Sequence, residues 1–262
     1  MTRKIRKTPQ FELTLEIVDD GFIRPPREAQ RNSLLNGAVQ ELVGNLRALD
    51  TLASRFVSGR PGGDMQDRTQ APLSDQQIME NWQLPVMRAM VDAVARPGCD
   101  ILEVGFGRGL SAAMIQERGV GSHTILECND SVLTRFEQWR AAYPNRDITM
   151  VPGLWQDTID GLDSFDAVFF HTYPLNEDEY MEYVHGATTF AEHFFPVAAA
   201  HLREGGAFTY FSNEIDCLGR GHQRQLLRHF SSFNVSVVEL DMPSDVVDTW
   251  WADSMAIVKA VK

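Results

Sequence analysis

Apolar and polar positions along this chain follow two periods that replace one another several times. Phe11, Leu13, Leu15 and Ile17 alternate with Glu12, Thr14 and Glu16, the two-residue period of a half-buried strand. After Pro25-Pro26, Leu35, Val39, Leu42, Leu46, Leu49, Ala53 and Phe56 recur at alternating steps of four and three residues. That is a heptad seam, and it predicts a long helix from about Arg27 to Val57. Gly37 and Gly44 weaken this helix by about 1 kcal/mol each relative to alanine. The seam either packs on the chain's own main domain or meets a partner subunit. Its regularity and its place apart from the core favour a homodimer formed through the N-terminal segment.

Pro61-Gly62-Gly63, Asp64, Asp67 and Pro72 then mark an extended linker. The expected organisation is residues 1–58 as a strand and long helix serving dimerisation, 59–73 as linker and 74–262 as the main domain. Ser74-Asp-Gln-Gln77 has the spacing of a capping box and opens a helix, which Pro85 is expected to end or kink. Strand-length apolar runs follow at 101–104, 123–127, 148–151, 165–170, 206–212, 234–240 and 254–260. They alternate with helical stretches near 109–118, 130–142, 178–200 and 220–231. The alternation predicts an α/β fold whose seven-stranded, mostly parallel sheet is covered on both faces. No long helical pattern separates the last two runs, so these are expected to pair antiparallel. The sequence carries no internal repeat and no low-complexity tract.

A length of 262 residues suits one large α/β domain plus an extra element. The formal net charge of −12 argues against a nucleic-acid binder and leaves a small cationic substrate open. Cys99, Cys128 and Cys217 are widely spaced, which suggests neither a disulfide framework nor a metal site and fits reduced thiols in the cytoplasm. The basic start MTRKIRK precedes no apolar signal region, and no apolar run approaches about 18 residues, so no membrane association is expected.

The chemistry centres on ILEVGFGRGL, residues 101–110. Ile101, Leu102 and Val104 form a strand, Gly105, Gly107 and Gly109 a turn, and Leu110 opens a helix. Glycines permit φ > 0 and let a ligand lie against bare backbone, just beyond the strand's carboxyl end where open α/β sheets bind ligands. Dinucleotide folds share this layout, but the spacing here is GxGxG and not GxGxxG. Glu103 before the turn suits a positively charged ligand and would repel a pyrophosphate. The next strand ends in Glu127, whose carboxylate suits a ribose diol. A sulfonium nucleoside, S-adenosylmethionine, fits these features together; a phosphate loop or a purely structural turn is the alternative.

Six stretches carry a resemblance: MENWQLPVM (79–87), ILEVGFG (101–107), ILECND (125–130), GLWQD (153–157), FDAVFFHTYPL (165–175) and LREGGAFTYF (202–211). In this order they resemble guanidinoacetate N-methyltransferase and its relatives, the class I methyltransferases that act on guanidino groups. The resemblance runs from about Ile78 to Asn213, roughly half the chain. It implies a Rossmann-like class I fold with one antiparallel strand in the sheet, preceded here by the N-terminal extension. Gly105, Phe106, Gly107, Arg108, Gly109 and Leu110 would line the methionine part of S-adenosylmethionine, and Glu127 would hold the ribose. Cys128 and Asn129 would flank the adenine, with Trp155 and Gln156 on its other side, although the family usually has Glu at position 156. Met79 and Met87 match cofactor-contacting positions on the covering helix; by spacing alone each is core filler.

The departures are as informative. The family clamps the substrate guanidinium with two carboxylates, and at those positions this chain has Gln83 and His171. A guanidinium stays protonated below about pH 12, so its charge must be met and one nitrogen must recover a lone pair. Glu214 and Asp216, in FSNEIDC after the strand ending near Phe211, are candidates for a relocated clamp; a solvated acidic loop is the alternative. His171 is a candidate base or a neutral hydrogen-bond partner. Gln83, Thr172, Tyr173 and Asn213 join His171 and Glu214 as expected substrate contacts, while Glu177, Asp178 and Glu179 suit a helix start.

The expected function is S-adenosylmethionine-dependent N-methylation of a small guanidino compound. Free L-arginine leads, because extra acids suit its α-ammonium, and the resemblance points to a free-arginine enzyme of secondary metabolism of the streptozotocin-pathway type. Guanidinoacetate or another small-molecule nitrogen or oxygen is the alternative acceptor. A non-catalytic cofactor-binding assembly protein is the alternative class.

Overall fold

The computed structural model describes residues 2–8, 11–17, 23–24 and 72–262, apart from 186, 244–245, 247–249 and 251. The helix expected at Arg27–Val57 lies outside the described residues, as does the linker up to residue 71. The chain divides into two compact units, Met1–Gly63 and Asp64–Lys262. In the first, β1 (Thr2–Thr8), β2 (Phe11–Ile17) and β3 (Ile23–Arg24) form an antiparallel sheet in that order. β2 coincides with the alternating run; β1, in the basic start, was not expected as a strand.

The second unit opens with α1 (Asp75–Ile78). Its capping box is formed: Ser74 Oγ accepts the Gln77 N–H at 3.3 Å and Gln77 Oε1 accepts the Ser74 N–H at 2.9 Å. After a 3-10 turn at Asn81–Gln83 comes α2 (Leu84–Val94), with Pro85 in its first turn. Pro85 therefore begins a helix where the sequence reading had it end one; a proline costs nothing where the N–H has no intrahelical partner. The remaining elements are β4 (Asp100–Val104), α3 (Leu110–Glu117), β5 (Ser122–Glu127), α4 (Asp130–Arg140), β6 (Asp147–Pro152) and α5 (Trp155–Thr158). They continue with β7 (Phe165–Phe170), α6 (Glu177–Tyr180), α7 (Phe195–His201), β8 (Leu202–Tyr210), α8 (Arg220–His229), β9 (Ser232–Glu239) and β10 (Ser254–Val261).

The sheet order is β6-β5-β4-β7-β8-β10-β9, with β10 antiparallel between β8 and β9 and the other neighbours parallel. This is the class I methyltransferase arrangement. The central strands carry apolar residues on both faces because both faces are covered. Ile101, Ala167 and Phe169 enter the core on the α2–α3 side, while Leu102, Val104, Val168 and Phe170 enter the one that holds Phe194, Phe195 and Tyr210. One expected element fails: the stretch 178–200 is not one helix. It breaks into α6, a π turn at Met181–His185, a 3-10 turn at Phe190–Phe194 and α7, which Pro196 begins. Phe190, Phe194 and Phe195 all pack against the core through these short turns. Among the described residues no helix is long and apolar enough to cross a membrane.

Candidate active site

The glycine turn is built from backbone that only glycine adopts readily. Gly105, Gly107 and Gly109 have φ of 94°, 54° and 73°. The Gly105 N–H donates to the Leu126 carbonyl at 2.9 Å, and the His171 N–H to the Val104 carbonyl at 3.1 Å. The exits of β4, β5 and β7 are thereby knit together at the carboxyl edge of the sheet, where strand order reverses on either side of β4.

A crevice of about 660 Å³ opens there. Of the expected cofactor residues, Gly105, Phe106, Gly107, Arg108 and Leu110 line it from the turn and the start of α3. Glu127, Cys128 and Asn129 line it from the end of β5, and Met79 from the covering segment. Ile78, Ser111, Val132 and Leu175 complete the wall and were not singled out in the sequence. Trp155 and Gln156 line an adjoining cavity of about 410 Å³ that shares Gly105, Glu127 and Cys128 with the crevice. Arg108 ties the turn to the covering segment through the Met79 carbonyl, at 3.1 Å, and Asn81 Oδ1, at 2.9 Å.

Three expected cofactor residues stand elsewhere. Met87 is fully buried in the core beneath α2, the filler role that its helical spacing favours. Gly109 caps α3 in the left-handed region with its face against the Phe106 ring, so its glycine is required by packing. Glu103 is also fully buried. It accepts a hydrogen bond from the Ser111 hydroxyl and lies 2.9 Å from His123 Nε2, whose Nδ1 is 3.1 Å from Gln116 Nε2. It belongs to a buried polar cluster with Ser111 and His123 and does not itself line the crevice.

Glu127 is committed more fully than a ribose contact requires. Its Oε2 accepts the Phe106 and Gly107 N–H groups at 2.9 and 3.3 Å, and its Oε1 those of Cys128 and Asn129 at 2.8 and 2.9 Å. Asn129 in turn caps α4 through the Ser131 and Val132 N–H groups.

His171, Thr172 and Tyr173 line the crevice and also a third cavity of about 1130 Å³, which contains Phe211 and Asn213. The imidazole is in contact with the Tyr173 and Phe211 rings, at centroid distances of 5.5 and 5.3 Å. Its Nε2 is shut off from solvent and has no hydrogen-bond partner among the described residues. Burial pushes its pKa down to about 4, so the ring is neutral at pH 7. Gln83, expected on the substrate, is instead buried and lines none of these cavities; its amide holds the Tyr173 hydroxyl at 3.1 Å.

The expected acidic clamp is not assembled. Asp216 is exposed, and neither it nor Glu214 lines any of the three cavities. Glu214 Oε1 accepts the Gly219 N–H at 3.0 Å and faces His222 Nδ1 at 3.1 Å. His222 is fully buried on α8, and its Nε2 lies 2.6 Å from the Tyr210 hydroxyl. This run fastens the loop after β8 to the helix behind it. His222 was missed because nothing in its own neighbourhood of the sequence marks it.

A family profile described as guanidinoacetate N-methyltransferase matches residues 63–220. Protein arginine N-methyltransferase 2 of Eremothecium gossypii is 26% identical over 176 residues, covering 63% of this chain and 37% of that protein. The protein of the same name from Emericella nidulans is 25% identical over 183 residues, covering 67% and 38%. The chain thus spans little more than a third of the length of these relatives. Among solved structures, the precorrin-6y C5,15-methyltransferase of Geobacter metallireducens GS-15 is 14% identical at a TM-score of 0.47, covering 68% of this chain and 87% of that one.

Proposed function

This chain belongs to the guanidinoacetate N-methyltransferase family, and from that premise we propose that it transfers a methyl group from S-adenosylmethionine to a guanidino nitrogen of a small molecule, free L-arginine first. The residues present fit the cofactor. Gly105 and Gly107 leave bare backbone along the crevice, where a Cβ on Gly107 would stand 3.0 Å from the Ile78 side chain. Glu127 supplies a buried carboxylate at the crevice floor, and Trp155 and Gln156 an adjoining chamber. When bound, the cofactor supplies an electrophilic methyl on a positively charged sulfur.

One observation carries the reading: His171, which lines both the crevice and the third cavity, has a buried Nε2 without a hydrogen-bond partner among the described residues. A guanidino nitrogen offers its lone pair to the methyl carbon only at the expense of its conjugation. Its proton becomes strongly acidic as the new bond forms. An imidazole held neutral, even one of low basicity, accepts such a proton from an acceptor that reaches it. Thr172, Tyr173 and Asn213 surround the acceptor in this reading.

Incubation with methyl-labelled S-adenosylmethionine and arginine, agmatine or guanidinoacetate tests the proposal. Transfer to at least one is expected, and transfer to none overturns it. A second reading, arginine within a protein, draws on the two fungal relatives; preferential labelling of an arginine-rich peptide over free arginine would establish it in place of the first. The seam at residues 35–56 supports a homodimer through the N-terminal segment. Light scattering of the full chain tests this, with Leu42→Glu expected to give monomers.

A further inference from the structure

The third cavity meets a cationic acceptor with rings and not with acids. Among its described lining residues there is no Asp, Glu, Lys or Arg, whereas Phe170, Tyr173, Tyr180, Phe190, Phe211 and Trp250 all contribute rings. The carboxylates on the walls of the crevice and the adjoining chamber are Glu127 and Glu179. Both already serve the backbone: Glu127 takes four N–H groups, and Glu179 Oε2 accepts the Leu175 N–H at 2.9 Å. His171 brings no charge, because burial keeps it neutral. Among the described residues of the third cavity an ordinary guanidinium beside a sulfonium finds no carboxylate to pair with, and burying it unpaired is costly.

Aromatic faces answer that need. The negative face of a ring attracts a cation, most of all a flat guanidinium that can stack on it and is weakly hydrated. Tyr173 and Phe211 both contact His171. Each ring is itself held: Tyr173 through its hydroxyl by Gln83, and Phe211 by edge contact with Trp82 at 6.3 Å. The amide at position 83, where the family has a clamping carboxylate, thus fixes a ring in this chain.

We propose that the acceptor guanidinium stacks on the face of Phe211 beside His171, within the aromatic lining that includes Tyr173 and in place of paired carboxylates, so that this ring selects a flat delocalised cation. This rests on the guanidino reading above. In the transfer step the nitrogen lone pair forms the N–CH₃ bond, the C–S bonding pair remains on sulfur, and the N–H proton passes to His171 Nε2.

Binding of arginine and of citrulline, its uncharged isostere, tests this by calorimetry on the full chain saturated with S-adenosylhomocysteine. Fluorinated phenylalanines at position 211 drain the ring face without changing its shape much, so folding is retained. Arginine affinity is expected to fall stepwise with fluorination, about tenfold in the series, while citrulline affinity stays within about twofold. Phe211→Leu is expected to lose the same preference and Phe211→Trp to keep it. Equal changes for both ligands, or an arginine preference that ignores fluorination, would overturn the proposal and leave the guanidino reading standing. If neither arginine nor agmatine binds the unaltered protein, the guanidino reading itself fails and takes this proposal with it.

Discussion

The place where a Cβ on Gly105 would stand is taken by the backbone oxygen of His171, 2.3 Å away. The exit of β7 therefore runs directly over the first glycine of the turn, and φ of 94° at Gly105 makes the contact possible. The His171 oxygen cannot retreat alone, because it is main chain, and the Cβ is fixed to the Gly105 backbone. Gly105→Ala is expected to cost at least about 2 kcal/mol of stability and to abolish S-adenosylhomocysteine binding. Thermal unfolding and calorimetry read the two losses.

Removal of the imidazole separates chemistry from binding. His171→Asn is expected to lower the methyl-transfer rate by about 10²–10⁴-fold, the usual contribution of a positioned proton acceptor. Affinity for S-adenosylhomocysteine should change by less than about threefold. Single-turnover rates with labelled cofactor decide it, and an unchanged rate would exclude His171 as the acceptor.

The same residue makes stability depend on pH. Its folded pKa of about 4 lies below the ordinary 6.5, because burial disfavours the charged ring. The unfolded chain takes up this proton first as the pH falls. The contribution is thus complete above about pH 6.5 and is lost on descending to pH 4, by at most about 3 kcal/mol. Burial pushes His193 in the same direction. The melting temperature is expected to drop across this window, and to drop less in His171→Asn.

Glu214 serves as a fastening in this structure, which reverses the outcome expected of a clamp. Glu214→Gln retains an oxygen that can accept the Gly219 N–H, so turnover should stay within about threefold of the original. His222→Phe leaves the Tyr210 hydroxyl without its partner in the core and is expected to cost about 1–3 kcal/mol. Steady-state assays and denaturant titrations check both. A hundredfold loss of turnover in Glu214→Gln would return this acid to the substrate.

The sheet was legible because its evidence is local. Ile101, Leu102 and Val104, and Ala167 to Phe170, place apolar residues at both odd and even positions, which is what burial on both faces demands. The turn and the acid of β5 were legible for the same reason. The contents of the site were less so, because a side chain's partner is set by tertiary contact. Glu103 reads as an acid beside a ligand, yet His123, twenty residues away, claims it from the next strand. Glu214 reads as an acid on the ligand side, but His222 turns it back. The stretch 178–200 has apolar residues dense enough for a helix, and only packing shows that Pro196 begins one in its midst. Phe211 looks like the end of a strand, and its place beside His171 emerges only when β7 and β8 are laid side by side.

The carboxylate of Glu127 is a latch, and in the proposed reading a docking point as well. Its oxygens bridge the end of β5 and the glycine loop, so a sugar diol held there would trade places with the protein's own amides. Capture of the nucleoside and reshaping of the loop then become a single event. Such an exchange would show itself as slow association and as altered amide hydrogen exchange at Phe106 and Gly107, long before any methyl group moves.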